Sequence, residues 1–334
     1  MSKCVLASRL AISLFGCMAV SSISLYAQSS NARFDTANTP GGVRQLEAGQ
    51  PEVVIHAPVE ATQKNRASQA SIFGSGTTSN LSYHGGTGGI GVETAPKIYL
   101  VLWGSQWASD PSGEEAILEK FFNGIGGSGW LNSVVQYCQG VASGTVTCNG
   151  GTPAGNQPGM LAGVWYDNSS AAPTHPKQSQ LASEAVKAAQ HWGNTSAALN
   201  KSVQYVIATA HNNSASGFGT QYCAWHSYTS STAGNIAYTN LPYMTDAGAS
   251  CGANFNGLGA KAGITIVEGH ELAETITDQF PSSGWIDGSG AENGDKCAWI
   301  SSGSGASANF TFSSGTFPVQ TLWSNATTSC VLTY

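Results

Sequence analysis

Six cysteines stand in the C-terminal two thirds of the chain: Cys138, Cys148, Cys223, Cys251, Cys297 and Cys330. None is part of a Cys-x-x-Cys pair. An even set without thiolate-metal spacing reads as a disulfide framework, and such a framework persists only in an oxidising compartment. The fold must therefore bring these positions together in pairs. Neighbours in sequence are the expected partners: Cys138 with Cys148, Cys223 with Cys251, Cys297 with Cys330.

The start of the chain agrees with export. Lys3 and Arg9 precede a mostly apolar, serine-interrupted stretch, and Ala27 closes a small-residue cleavage pattern. Residues 1–27 are read as a signal peptide that carries Cys4 and Cys17 away. Leu14-Phe15-Gly16-Cys17 offers a lipoprotein alternative, for which Phe15 is bulky. No later apolar run has the length of a membrane span. The expected product is secreted, extracellular or periplasmic, free of the membrane after signal removal, and monomeric. Only 10% of residues are charged, against about a quarter in ordinary globular chains. The net charge of -6 offers no basic face for nucleic acid.

Residues 28–80 are polar, lack sustained periodicity and are punctuated by Gly and Pro. They read as a polar arm, or as a pro-segment that covers an active site until removed. Only residues 52–59 resemble a strand, and His56 is the segment's one metal-ligand candidate. Residues 81–334 form one domain. The apolar run 97–103 is a buried strand, 205–209 a second, and the alternating stretch 236–243 a third. Helices are expected over 112–124, with Ser112 as cap, over 179–192 and over 257–278. Short strands follow near 308–312 and 319–323. The mixture of strands and helices predicts an α+β fold.

The chemistry concentrates in His270-Glu271-Leu272-Ala273-Glu274. His270 and Glu274 are four apart, so a helix puts them on one face, one turn above the other. That spacing lets two side chains grip one ion, and Glu271 beside them can reach a water on it. It is the logic of the His-Glu-x-x-His zinc helix with Glu in place of the second His. The apolar residues Ile264, Val267, Ala273 and Ile276 supply a core face for this helix. The same pattern also suits an amphipathic helix whose acidic face, Glu268, Glu271 and Glu274, is simply solvated.

A third metal ligand must come from elsewhere. Zinc peptidases of the thermolysin kind, which the helix resembles, place a glutamate some way past the second helix ligand. Glu292 stands in that place here, with Asp295 able to hold His270 by its far nitrogen. Asp278 is the rival. A continued helix sets its row with His270 and Glu274 about 12 Å long, too long for one ion. The expected metal set is His270, Glu274 and Glu292 around Zn2+, with Glu271 as general base. His211, Tyr222, His226 and Tyr238 are candidate oxyanion donors, and residues 236–243 a candidate edge strand for a peptide substrate. Asp278, Asp287, Glu292 and Asp295 would also suit Ca2+.

Residues 81–334 also resemble, in order though thinly, the exordium or phosphate-induced family of plant extracellular proteins. The matching pieces are Tyr83-His84-Gly85-Gly86, residues 97–104, the Cys223 and Cys251 regions, the 262–278 helix, residues 285–297 and the last cysteine. The resemblance implies a zincin-like fold: a twisted mixed sheet beside a long active-site helix, stapled by disulfides. The plant members lack the His-Glu-x-x-Glu set at the equivalent helix. The function expected is that of a secreted zinc endopeptidase acting on protein or peptide. The alternative is a non-catalytic cell-wall or carbohydrate-binding protein in which Trp103, Trp107, Trp225 and Trp285 stack on sugars.

Overall fold

Apolar runs such as Leu100-Val101-Leu102 and Val206-Ile207-Ala208 exclude charge on both sides of a strand, so the strands they form must be covered on both faces. The computed structural model describes residues 41–73 and 79–334, all within one compact unit. The expected signal peptide lies outside the described residues.

The chain begins with β1 (Gly42–Arg44), β2 (Val53–His56) and helix α1 (Val59–Phe73). After the short β3 (Ser82–Tyr83) come β4 (Lys97–Trp103), α2 (Glu114–Ile125), β5 (Cys138–Gln139), β6 (Thr152–Pro153) and β7 (Leu161–Asp167). Helix α3 (Gln178–His191) leads to β8 (Val203–Thr209), β9 (Ala224–Ser231) and β10 (Gly234–Leu241). Helix α4 (Ala262–Thr277) is followed by β11 (Trp285–Ile286), β12 (Ala308–Phe312), β13 (Gly315–Val319), β14 (Leu322–Ser324) and β15 (Ser329–Val331).

Seven strands form one mixed sheet in the order β1-β2-β9-β10-β8-β4-β7. The half from β10 to β7 is parallel, with β8 and β4 at its centre. The half from β10 to β1 is antiparallel. Helix α3 packs Leu181, Ala185 and Ala189 on one face, against Val101, Tyr205 and Ile207. Helices α2 and α4 cover the other through Leu118, Phe121, Phe122, Ile264, Val267 and Leu272. The architecture is mixed α and β, as expected. The disulfides are Cys138–Cys148, Cys223–Cys251 and Cys297–Cys330, each joining neighbours in sequence. Among the described residues no helix is long and apolar enough to cross a membrane.

Four local expectations are revised. Residues 41–73 supply two strands and a helix, and Val53, Val54, Ile55 and His56 are buried in the sheet. They belong to the folded body. The strand of residues 236–243 is interior: β10 is paired with β9 on one side and β8 on the other. Helix α4 starts at Ala262 because Asn254, Asn256, Gly257 and Gly259 all take positive φ, which breaks a right-handed helix. At α2 the cap is Asp110, which accepts the backbone N–H groups of Glu114 and Glu115, rather than Ser112.

One carboxyl pair far from α4 sets a pH dependence. Glu184 of α3 and Asp167 of β7 are both buried, and Lys187 reaches both. Burial first, then Asp167, pushes Glu184 up to about 8. Between the ordinary carboxyl value and about 8 the folded chain keeps a proton that the unfolded chain has released. Stability conferred by this group therefore falls as pH rises through that window. Glu184→Gln removes the slope, which for one proton is at most about 1.4 kcal/mol per pH unit. Urea midpoints of the two proteins are expected to diverge between about pH 5 and pH 8, the parent falling more steeply; parallel curves would contradict the assignment.

Candidate metal centre

Helix α4 is buried along its whole length, all sixteen residues from Ala262 to Thr277. The solvated-acidic-face reading is thereby excluded: Glu268, Glu271 and Glu274 have no exposed surface. The helix can sit this deep because its glycines admit close neighbours. A side chain at Gly263 would come within 1.8 Å of the Cys251 carbonyl oxygen, and one at Gly269 would press on Phe121 and Trp130.

His270 and Glu274 meet as their spacing predicts, with Nε2 3.0 Å from Oε2. The contact lacks hydrogen-bond geometry, and both atoms are otherwise unpartnered. The other ring nitrogen of His270, Nδ1, faces Gln320 Oε1 at 3.3 Å. Gln320 Nε2 donates to the carbonyls of Gly294 and Thr321, which fixes the amide orientation and makes Oε1 the acceptor. Nδ1 of His270 therefore carries a hydrogen, and in the neutral ring Nε2 turns a lone pair toward a carboxylate. Only a proton or a metal ion between them relieves that arrangement.

The third and fourth segments close around this pair. Residues 292–297 lie across α4: Asn293 donates to the Ala273 carbonyl, and the Asp295 N–H donates to Glu274 Oε1 at 2.8 Å. Asp295 Oδ1 is 3.8 Å from His270 Nε2. His226 enters from β9, fully buried, with Nδ1 3.0 Å from Glu271 Oε2 and Nε2 3.5 Å from Glu292 Oε1. His56 enters from β2 and stacks on the His270 ring at 3.8 Å between centroids; Trp299 stacks on His56 at 4.8 Å.

Ligand atoms gather in three groups: His270, Glu274 and Asp295; His226, Glu274 and Glu292; His56, His270 and Glu271. The first two share Glu274. Among the described residues no group places His270 and Glu292 on one ion; of these two loop carboxylates it is Asp295 that shares a group with His270. Asp278 is spent on Ser283, whose N–H and hydroxyl it accepts, and Asp287 is paired with Lys296. The four-carboxylate calcium set is not gathered in any of these groups.

Of the four proposed oxyanion donors only His226 lies here. Tyr222 donates to the Ala215 carbonyl, His211 pairs with Asp246, and Tyr238 belongs to the core on the α3 side. Trp107, Trp225 and Trp285 are buried, so three of the four tryptophans considered for sugar stacking have no free face.

The centre is strongly acidic. Burial raises Glu292 and Glu268 well above the carboxyl range, and raises Glu271 to about 8 and Asp295 to about 7. Burial alone would lower His226 and His270, but Glu271 acting on the first and Glu274 on the second outweigh it, and both are raised. Both oxygens of Glu292, one each of Glu271 and Glu274, and Nε2 of both histidines are buried without a hydrogen-bond partner. Orphaned donors and acceptors of this kind, gathered in two adjoining groups that share Glu274, are what a cation site offers.

Gly294 makes the approach possible. A Cβ there would lie 2.7 Å from His270 Nδ1 and 2.9 Å from Glu274 Oε1. Gly294→Ala should push the loop off α4, cost about 1–3 kcal/mol of stability and weaken metal binding by at least about tenfold. Thermal unfolding with and without zinc measures both; an alanine variant that binds zinc like the parent would show that the loop has room. Compared with known proteins, the chain matches no family model, no curated protein and no solved structure.

Proposed function

We propose that the chain is a secreted, zinc-dependent endopeptidase, with His270 and Glu274 as the metal-binding pair of α4 and Glu271 as general base. One observation carries the reading. A histidine whose Nδ1 is committed to Gln320 turns Nε2 onto a carboxylate in the buried interior, at 3.0 Å and without hydrogen-bond geometry. The outer hydrogen bond to Nδ1 is the usual support of a metal-bound imidazole. Asp295 completes the set with His270; Glu292 and His226 form the second group on the same Glu274.

Zinc, when bound, supplies Lewis acidity and draws the pKa of a water toward neutrality. The chain's own residues do the rest. Glu271 has one oxygen held by His226 and the other, Oε1, without a partner. That second oxygen is available to take a proton from the attacking water and to return it to the leaving amine. Burial raises Glu271 to about 8, and His226 beside it is the chief opposing influence. His226 fixes the orientation of Glu271 and is its positioning residue.

Two broader features support the reading. A mixed sheet beside a buried helix is consistent with the zincin-like arrangement implied by the exordium resemblance. Three disulfides suit an extracellular destination.

Metal analysis of purified protein tests the proposal. Zinc is expected at about one per chain and is lost in His270→Ala. Asp295→Asn should weaken zinc binding more than Glu292→Gln does. Glu271→Gln should keep its zinc and lose at least about 100-fold in hydrolysis of a quenched peptide. No zinc in the parent, even after refolding with the metal, would discard the enzyme in favour of a binding protein.

A further inference from the structure

The metal centre is sealed. His226, His270, Glu271, Glu274 and Glu292 have no exposed surface. A peptidase in this state has no way to admit a peptide, so something in the chain must be in the way.

The obstacle is β2. On its inner side β9 pairs with β10; on its outer side it pairs antiparallel with Val53–His56. Without β2, β9 would be the edge of the sheet beside α4, carrying His226 directly into the site. An exposed edge strand of this kind takes an extended peptide by main-chain pairing, with alternate side chains dropping into pockets. The register is informative. Val54 lies opposite His226 and His56 opposite Ala224, and the Cys223 N–H donates to the His56 carbonyl at 2.7 Å. Strand alternation puts Val54 and His56 on one face, and Val53 and Ile55 on the other, packed with the α3 core. The face that carries His56 is the face of the metal centre. The His56 ring covers His270, and both its nitrogens are buried without partners, one of them within ligand range of His270 and Glu271.

We propose that Val53–His56 is a built-in occupant of the peptide-binding edge of β9, with His56 as the cap over His270, and that the chain is latent until this segment is displaced. The inference rests on the peptidase reading and adds its regulation and its substrate geometry: an extended peptide, antiparallel to β9. The occupant has anchors that a substrate lacks. Ser227 Oγ donates to the Glu52 carbonyl, Gln178 to the Pro51 carbonyl, Trp299 Nε1 to the Ala57 carbonyl and Arg66 to the Lys296 carbonyl. Because it is tethered, its effective concentration at β9 is on the order of millimolar, so it outcompetes a free peptide making the same main-chain bonds.

The test uses the full chain with an enteropeptidase recognition sequence inserted between Phe73 and Leu81, folded first and cut afterwards, beside intact His56→Ala. Two readouts are followed: the rate at which a chelator strips zinc, and binding of a fluorescent peptide of residues 51–58 to the cut, metal-free protein. Cutting followed by removal of the segment should speed zinc loss by at least about tenfold, expose hydrolysis of a quenched peptide and create a saturable site for the 51–58 peptide. The His56→Ala chain should also lose zinc faster. An unchanged rate in both proteins, with no peptide binding, overturns the inference while zinc content leaves the metal reading intact. Peptide binding without any zinc would do the reverse, keeping the strand edge and discarding the peptidase. If the cut chain unfolds, the chelation rate of His56→Ala decides alone.

Discussion

Carboxylates taken out of water destabilise a fold unless positive charge goes with them. Helix α4 takes Glu268, Glu271 and Glu274 into the interior together, and the following loop adds Glu292, with the half-buried Asp295 at its margin. Three imidazoles lie among them: His56, His226 and His270. Their neutral forms add no charge. Protons can neutralise such a cluster, and the raised carboxyl and imidazole values show that the protein by itself would hold them. A divalent ion does the same job while also using the orphaned atoms. The surrounding architecture, from the glycines of α4 to the Gln320 amide, serves to keep this cluster dry and fixed.

How much of this could be read from the residues follows from where each signal is stored. The helix, the central strands and the disulfide partners were legible, because 3.6-residue and apolar-run patterns are local and the cysteines that pair are neighbours in sequence. The role of His270, Glu271 and Glu274 was legible as spacing. His226 was visible only as a generic donor, since a buried histidine within Ala-Trp-His-Ser has no periodic signature. The choice between Glu292 and Asp295 depends on how residues 292–297 turn over α4, which the Gly294 contact decides and no pattern announces. In residues 41–73 the strand within 52–59 was legible, but β1 and α1 were not, for a different reason. Their polar composition resembles a linker, yet β2 gains its stability from β9, more than a hundred and fifty residues away in sequence. The position of β10 inside the sheet is likewise a fact of topology that its own alternation cannot encode.

The two halves of the sheet divide the labour. The parallel half, β10-β8-β4-β7, is covered by α3 on one face and by α2 on the other, whereas α4 lies against β9, β10 and β2. The antiparallel half carries the histidines, His226 on β9 and His56 on β2. Loop-borne residues complete the site, and the Cys297–Cys330 disulfide ties that loop to the last strand.

The donors of the centre come from four stretches of chain, at residues 56, 226, 270–274 and 292–295. None of them can meet before the long-range pairing of β2, β9 and β10 has closed and α4 has docked. Contacts of such separation form late and slowly in folding. A metal ion would therefore find no complete site on a nascent or partly folded chain, and its binding energy would be realised only in the last step. An ion held there would act less as a nucleus than as a latch: it would slow unfolding and leave the rate of folding nearly untouched.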